Sequence, residues 1–339
     1  MRAAVFTAFG GPDDIAVSEV PDPEPGPTDV LVDVAAAAVN HHDLWLLRGE
    51  AGLDADDLPF VSGVDVAGTV AAVGDDVSEL TPGDRVVLCP NQTCGSCRQC
   101  REGPENRCAE YDLFHGGFAE QFAAPADRLI PIPDGVSFET AAAIPVSYLT
   151  AFHMLGQAET APGDRVFVPG ATGGVGVAAI QLAAVLGAES IGTSSSRAKL
   201  DRLEAATPVD HVVHAADPDP IATAVEAIGP VDVTINHLGG AFTDLGMSVL
   251  RRGGRMVVCG RTAGGTSEID VRDLYWRHKR VIGSTMGIQP ELERLIDLAG
   301  RGALEPVIGD EYALEETAQA FRDMQERDAF GKLIVVPGA

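Results

Sequence analysis

A chain of 339 residues, 45% of them hydrophobic and 38 of them glycine, is long enough for two globular domains and too long for one small core. Fifty acidic residues against 24 basic ones, a formal net charge of −26, leave no basic stripe for phosphates and argue against nucleic acid as a partner. No apolar run is long enough to span a membrane, and the N-terminal MRAAVFTAFGG alternates like a strand rather than a signal peptide, so a cytoplasmic protein with no membrane partner is expected. The only lysines are Lys199, Lys279 and Lys332, and this acid-rich, lysine-poor composition points to adaptation to concentrated intracellular salt.

From the N-terminus to about residue 133 the chain reads as short strands between Gly and Pro turns: RAAVFTA, DVLVDVAAAAV, DVAGTVAAVG, GDRVVLCP and FAEQFAAP. Inside this β-barrel texture lies CGSCRQCREGPENRC, with Cys94, Cys97, Cys100 and Cys108 at metal-ligand spacing. An intracellular chain does not use such cysteines as a disulfide framework. Cys89 and Cys259 stand apart in apolar runs, where buried free thiols are expected. Whether the quartet's metal does chemistry or holds a loop has to be decided elsewhere in the chain.

From about residue 164 strands alternate with helices, the signature of a parallel doubly wound sheet. DRVFVPGATGGVG is a strand and a glycine turn, VAAIQLAAVLG a helix that is apolar almost all round, and ESIGTSSS the next strand. VDVTINHLGG, GRMVVCG and KRVIGSTMG follow, and the tail adds two amphipathic helices and a closing strand. There is no internal repeat.

The turn Thr172, Gly173, Gly174, Val175, Gly176 sits between strand and helix, where a dinucleotide pyrophosphate needs close backbone approach and a helix N-terminus. An NAD-preferring protein places an acid at the end of the next strand. Here that place reads Gly192-Thr-Ser-Ser-Ser-Arg-Ala-Lys199, and Ser194 and Ser195 with Arg197 and Lys199 suit a 2′-phosphate. NADPH is expected over NADH.

With GDRVVLCPNQTCGSCRQC, the GGFAE strand, the GATGGVG turn and the terminal FGKLIVVP, the chain resembles the medium-chain dehydrogenase/reductase superfamily over nearly its whole length. It is especially similar to quinone oxidoreductases and zinc-type alcohol dehydrogenase relatives that keep a cysteine lobe. The resemblance implies a Rossmann doubly wound parallel sheet plus a split GroES-like β-barrel catalytic domain, with substrate in the cleft between them. The expected domains are residues 1–133 (with the lobe at about 89–112), 134–286 and 287–339. A homodimer or homotetramer is implied as well.

The family's structural lobe has the spacing of Cys94, Cys97, Cys100 and Cys108, and four thiolates close a tetrahedral zinc with no position left for water. One structural Zn2+ per chain is expected. The family's catalytic zinc would need ligands where this chain has Asn40, Val64 and Val146, with Asp65 in place of an adjacent acid. An amide and two valines cannot make that site, so the cleft is expected to be free of metal. An improvised site from His42, Asp43, Asp65 and His237 is the alternative.

The pattern Asn40-x-x-Asp43 is shared with zinc-free quinone oxidoreductases. By the resemblance, Asn40, His42 and Asp43 are the catalytic candidates: Asn40 bonds the nicotinamide ribose or the substrate carbonyl, and His42 relays the proton. His41 contacts the pyrophosphate, Trp45 shapes the pocket and His237 lies near the nicotinamide. Cys259, Gly260, Ser284, Thr285 and Met286 line the nicotinamide end, and Lys332 approaches the cofactor. The expected activity is NADPH-dependent reduction of an activated C=C or quinone, small-molecule substrates that delocalise the arriving charge onto their own oxygen. Two other functions fit the residues: an alcohol or polyol dehydrogenase with an atypical metal site, and a cofactor-binding protein with little catalysis.

Overall fold

The computed structural model describes residues 1–338 and divides the chain into two units, one built from Met1–Val146 and the segment from Ile288 onward, the other from Ser147–Gly287. The first unit opens with β1 (Arg2–Phe6), β2 (Ile15–Glu19), β3 (Asp29–Ala38), α1 (His41–Leu47), β4 (Phe60–Val61), β5 (Asp65–Val73) and β6 (Arg85–Leu88). It continues through β7 (Asn91–Gln92), α2 (Arg98–Glu102), β8 (Asp112–Leu113), β9 (Gln121–Pro125), β10 (Leu129–Pro131) and α3 (Phe138–Ala142). The second unit holds α4 (Ser147–Gln157), β11 (Arg165–Val168), α5 (Gly174–Val185), β12 (Glu189–Ser194), α6 (Arg197–Ala206) and β13 (His211–His214). It ends with α7 (Pro218–Ile228), β14 (Val231–Asn236), α8 (Ala241–Val249), β15 (Leu250–Val258), α9 (Val271–Trp276) and β16 (Arg280–Gly283). The returning segment carries α10 (Gln289–Gly300), β17 (Ile308–Ala313), α11 (Thr317–Gln325) and β18 (Lys332–Val336).

In the first unit the main sheet runs β10-β6-β5-β3-β18-β17, with β9 also paired to β3. Along β3, Val30, Val32 and Val34 point inward and Asp33 outward, the period of a half-buried strand. The alternation stops at Ala36–Ala38, all buried, and there β18 pairs antiparallel through Ala37↔Val335 and Ala38↔Ile334. That register sets Lys332 beside the end of β3, and the site depends on it. The returning helix α11 also brings Phe321 into the core, edge-on to Phe6 and Phe118, each 5.7 Å away between ring centroids.

The expected domain boundary at 133/134 is displaced to 146/147, because α3 packs on β3 and β5 and so belongs to the first unit. The glycine-proline texture around residue 135 marks a turn, not the end of a domain. The returning segment begins at Ile288.

The second unit is a six-stranded sheet in the order β13-β12-β11-β14-β15-β16, all pairs parallel. Its strands are fed by helices, and α5 is buried on every side from Gly176 to Ala183, as its uninterrupted apolar run implies. At the edge, β16 is exposed, and the α9–β16 segment shows Val271 (67% exposed), Tyr275 (63%), Trp276 (65%) and Val281 (37%). Nearby Lys279 is buried, its ammonium donating to Met247 O and Asp273 Oδ2 at 2.6 Å each. No helix among the described residues is long and apolar enough to cross a membrane.

Candidate active site and cysteine lobe

Between β6 and β9 the chain leaves the sheet as a lobe, closed at its base by the short β7–β8 pair. Cys94, Cys97, Cys100 and Cys108 converge there, with their sulfurs within 4.8 Å of one another. Four of the Sγ···Sγ separations lie between 3.5 and 3.9 Å. A tetrahedral zinc with ~2.3 Å bonds to sulfur requires edges of roughly 3.8 Å, so the quartet fits that ion. Backbone N–H groups of Cys97, Cys94 and Glu110 point at the sulfurs of Cys94, Cys108 and Cys108, at 3.4, 3.5 and 3.4 Å. Such donors favour thiolates, and those of Ser96 and Cys97 pull the Cys94 thiol down to about 6. Among the described residues this is the only group of three or more His, Cys, Asp or Glu side chains placed to share a metal.

The lobe is tied to the rest of the unit through Glu105. Its carboxylate accepts from Arg128 at 2.9 Å and from the backbone N–H of Gln289 at 3.1 Å. Burial pushes this carboxyl up, but the Arg128 and Gln289 bonds outweigh it and hold Glu105 below the usual range. Of the two remaining thiols, Cys89 is buried as expected, whereas Cys259 is only half-buried.

In the second unit the glycine turn stands at the N-terminus of α5. Gly173 is the N-cap with no side-chain capping bond, so the first N–H groups of this twelve-residue helix have no side-chain acceptor. A side chain at Gly176 would place Cβ 2.6 Å from Gly170 O, so only glycine lets the helix approach the turn this closely. Thr172 Oγ1 lies 3.4 Å from Ser194 Oγ at the end of β12. These features fit a dinucleotide pyrophosphate: Thr172 to Gly176 would hold it by backbone contacts. Ser194 Oγ accepts from Ser196 N–H, exposed Ser195 gives its carbonyl to His214, and Ser196 caps α6 by accepting from Lys199 N–H. Arg197 already holds Asp201 and Glu204, at 2.6 and 2.5 Å. A phosphate at this place has to compete with both carboxylates. Further along, Cys259 N–H donates to Asn236 O, and a Cβ on Gly260 would lie 2.1 Å from His237 O, which brings Gly260 backbone to backbone with His237. Thr285 is exposed just beyond β16.

The first unit assembles a compact polar cluster at the end of β3. Lys332 Nζ donates to Asn40 Oδ1 (2.7 Å), Asp65 Oδ2 (2.9 Å) and Val39 O (3.2 Å), and the residue is 2% exposed. Asn40 turns its oxygen to the ammonium, which fixes the amide orientation, and its nitrogen donates to Asp65 Oδ2 (3.0 Å) and Ala38 O (3.1 Å). The other Asp65 oxygen accepts from Val146 N–H at 2.8 Å. Burial pushes the Asp65 carboxyl up, while Lys332 and Asn40 draw it back.

Three expectations change here. Asn40 has no amide hydrogen left for a ribose or a substrate carbonyl, because both are held by Ala38 and Asp65. Lys332 does not reach for a cofactor: three acceptors surround its ammonium in the interior. Asp43 is enclosed and already bonded rather than open to a substrate. It is fully buried, and accepts from Ser62 Oγ (2.5 Å), Gly63 N–H (3.2 Å) and Asn40 N–H (2.8 Å), the last closing the first turn of α1. A catalytic zinc does not fit these residues either. Val64 is buried and apolar, Val146 contributes only its N–H, and the oxygens of Asn40 and Asp65 are already spent on an ammonium. Nor do Asp43 and Asp65 form an improvised site with His42, since each carboxylate is committed elsewhere.

His41 and His42 open α1, His41 exposed and His42 half-buried. His42 stacks on His115, ring centroids 5.3 Å apart and planes 20° from parallel, and Phe60 meets His115 edge-on at 5.3 Å. No sequence signal singles out His115: it is a lone histidine in a turn, far along the chain from its partner.

The chain's similarities run the same way. Residues 26–134 match the alcohol dehydrogenase GroES-like domain, and residues 174–301 match the zinc-binding dehydrogenase family. The quinone oxidoreductase of Mus musculus is 34% identical over 335 residues, covering 96% of this chain and 94% of the relative. The acryloyl-coenzyme A reductase of Sulfurisphaera tokodaii is 28% identical, covering 95% and 96%. A crystal structure of an NAD-dependent alcohol dehydrogenase superimposes with a TM-score of 0.93 at 37% identity, covering 99% of each chain.

Proposed function

The chain belongs to the medium-chain dehydrogenase/reductase superfamily as an NAD(P)H-dependent oxidoreductase, and on that basis we propose that it reduces conjugated C=C bonds or quinones with NADPH and without a catalytic zinc. The observation that carries this reading is the Lys332–Asp65–Asn40 cluster, which fills the place of the missing zinc ligands with a satisfied ion pair. Oxidation of a simple alcohol depends on a Lewis acid to stabilise an alkoxide, whereas an enone, enoyl thioester or quinone carries the arriving charge on its own oxygen. Bound at the glycine turn, NADPH supplies the hydride. The chain's own part is to hold the cofactor through Thr172–Gly176, to orient α1 through Asp43 and to present His42 as the proton donor.

A substrate panel in molar KCl with both cofactors tests the proposal. Enone or quinone reduction should be robust and alcohol oxidation slow. Because Arg197 must be drawn away from Asp201 and Glu204, kcat/KM should favour NADPH by roughly tenfold, the low end for a charge-assisted contact. Fast alcohol oxidation with no double-bond or quinone reduction would favour the dehydrogenase reading, and no activity on either would favour a binding protein.

We propose further that a homodimer forms along β16, where unpaired strand edge and the apolar side chains of Val271, Tyr275, Trp276 and Val281 are exposed together. Trp276→Glu combined with Tyr275→Glu should give monomers in sedimentation velocity. An unchanged assembly would place the interface elsewhere.

A further inference from the structure

Each neutral imidazole carries one donor and one acceptor nitrogen, and a histidine with a purely structural role is normally fixed by bonds through them. The stacked pair in the first unit is different: His42 Nε2 and His115 Nδ1 are both buried with no hydrogen-bond partner. The rings are held by stacking on each other and by Phe60, and their inward nitrogens are unspent. Beside them Asp43 is fully buried, and its three bonds all come from neutral donors. The one buried ammonium nearby, that of Lys332, is committed to Asp65. A buried carboxylate without a cation in contact favours positive charge on the titratable groups around it.

We propose that His115 completes a proton-holding pair with His42, charged against Asp43, that supplies the proton consumed by the reduction. The proposal rests on the reductase reading above. His42, carried by α1, is the donor, and His115 is a positioning residue that acts through it. Hydride addition to the β-carbon leaves an electron pair on the substrate's α-carbon and oxygen. The N–H bond of the charged pair then breaks, the proton goes to that carbon or oxygen, and the bonding electrons stay on nitrogen. Both rings are only half-buried, so water recharges the neutral pair. Burial holds His115 below the usual histidine range, Asp43 and Asp112 offset this only in part, and His42 lowers it further, so a second proton on the stack is disfavoured.

Imidazole titration of the substrate-free, 15N-labelled protein in KCl reads the pair without any turnover. The two rings should shift over one common step with a single proton between them. Each ring shifting alone, in a step that the other ring does not register, would overturn the pair. In His115→Phe the stacked ring remains and the nitrogens go. The fall of kcat with rising pH should then move to lower pH, with kcat at neutral pH reduced about tenfold and KM for NADPH unchanged. A variant whose kcat and pH profile match those of the wild type would also overturn it. A wild type that reduces neither enone nor quinone removes the reductase reading, while the titration independently decides whether the two rings share a proton.

Discussion

Cys100→Ser should release the zinc and unfold the lobe. Metal analysis of the wild type is expected to give one zinc per chain, and that of the variant close to none. Three thiolates and a hydroxyl bind far more weakly than the closed quartet, whose sulfurs already sit at tetrahedral spacing. Structural zinc binding is worth on the order of 10 kcal/mol in small domains, and part of that is folding free energy. The Glu105 anchor to Arg128 and Gln289 should fail with the lobe, lowering the melting temperature of the whole first unit. Cys89→Ser, outside the quartet, should keep its metal. Two tightly bound zincs per wild-type chain, or a chelator that stops turnover while the fold survives, would revive the alcohol dehydrogenase reading.

Lys332→Met should be the most destabilising single change at the site itself. It leaves Asp65, fully buried, without its cation, and breaking a buried ion pair in this way typically costs ~3–5 kcal/mol. Lys332→Met combined with Asp65→Asn should recover much of the loss, because the uncompensated charge goes as well. The pH dependence has a definite sign. The Asp65 carboxyl is already raised by burial, and losing Lys332 raises it further. A raised carboxyl makes the folded state bind the proton more tightly than the unfolded one, so the variant's deficit relative to wild type shrinks as pH falls through the raised value. The deficit is largest at neutral pH, where Asp65 must ionise in the interior. Denaturant midpoints of the three proteins from about pH 5 to 8 decide this, and a deficit independent of pH would assign the loss to packing instead.

The cysteine quartet, the glycine turn and the alternation of strands and helices were legible along the chain because each is local. Cys94 to Cys108 span one loop, Thr172 to Gly176 one turn, and a doubly wound sheet repeats its strand–helix pattern every few tens of residues. Asn40, Asp43 and His42 were legible as polar residues in a distinctive turn, but their tasks were not. A side chain's free hydrogens depend on what the fold brings to it.

Residue order was enough to specify the two-part architecture, the cysteine lobe and the glycine turn between strand and helix. That Asn40 is spent came from long-range assembly. The register of β18 on β3 delivers Lys332 across 292 residues to its carbonyl, and Asp65 takes one of its hydrogens from 25 residues away. The same holds for His115, which meets His42 by stacking across separate loops, and for α3, which joins the first unit because it packs on β3 and β5. Local pattern fixes backbone conformation within a few turns. Partners for buried charges and imidazoles are chosen by register and packing between distant segments, which no short stretch of sequence records.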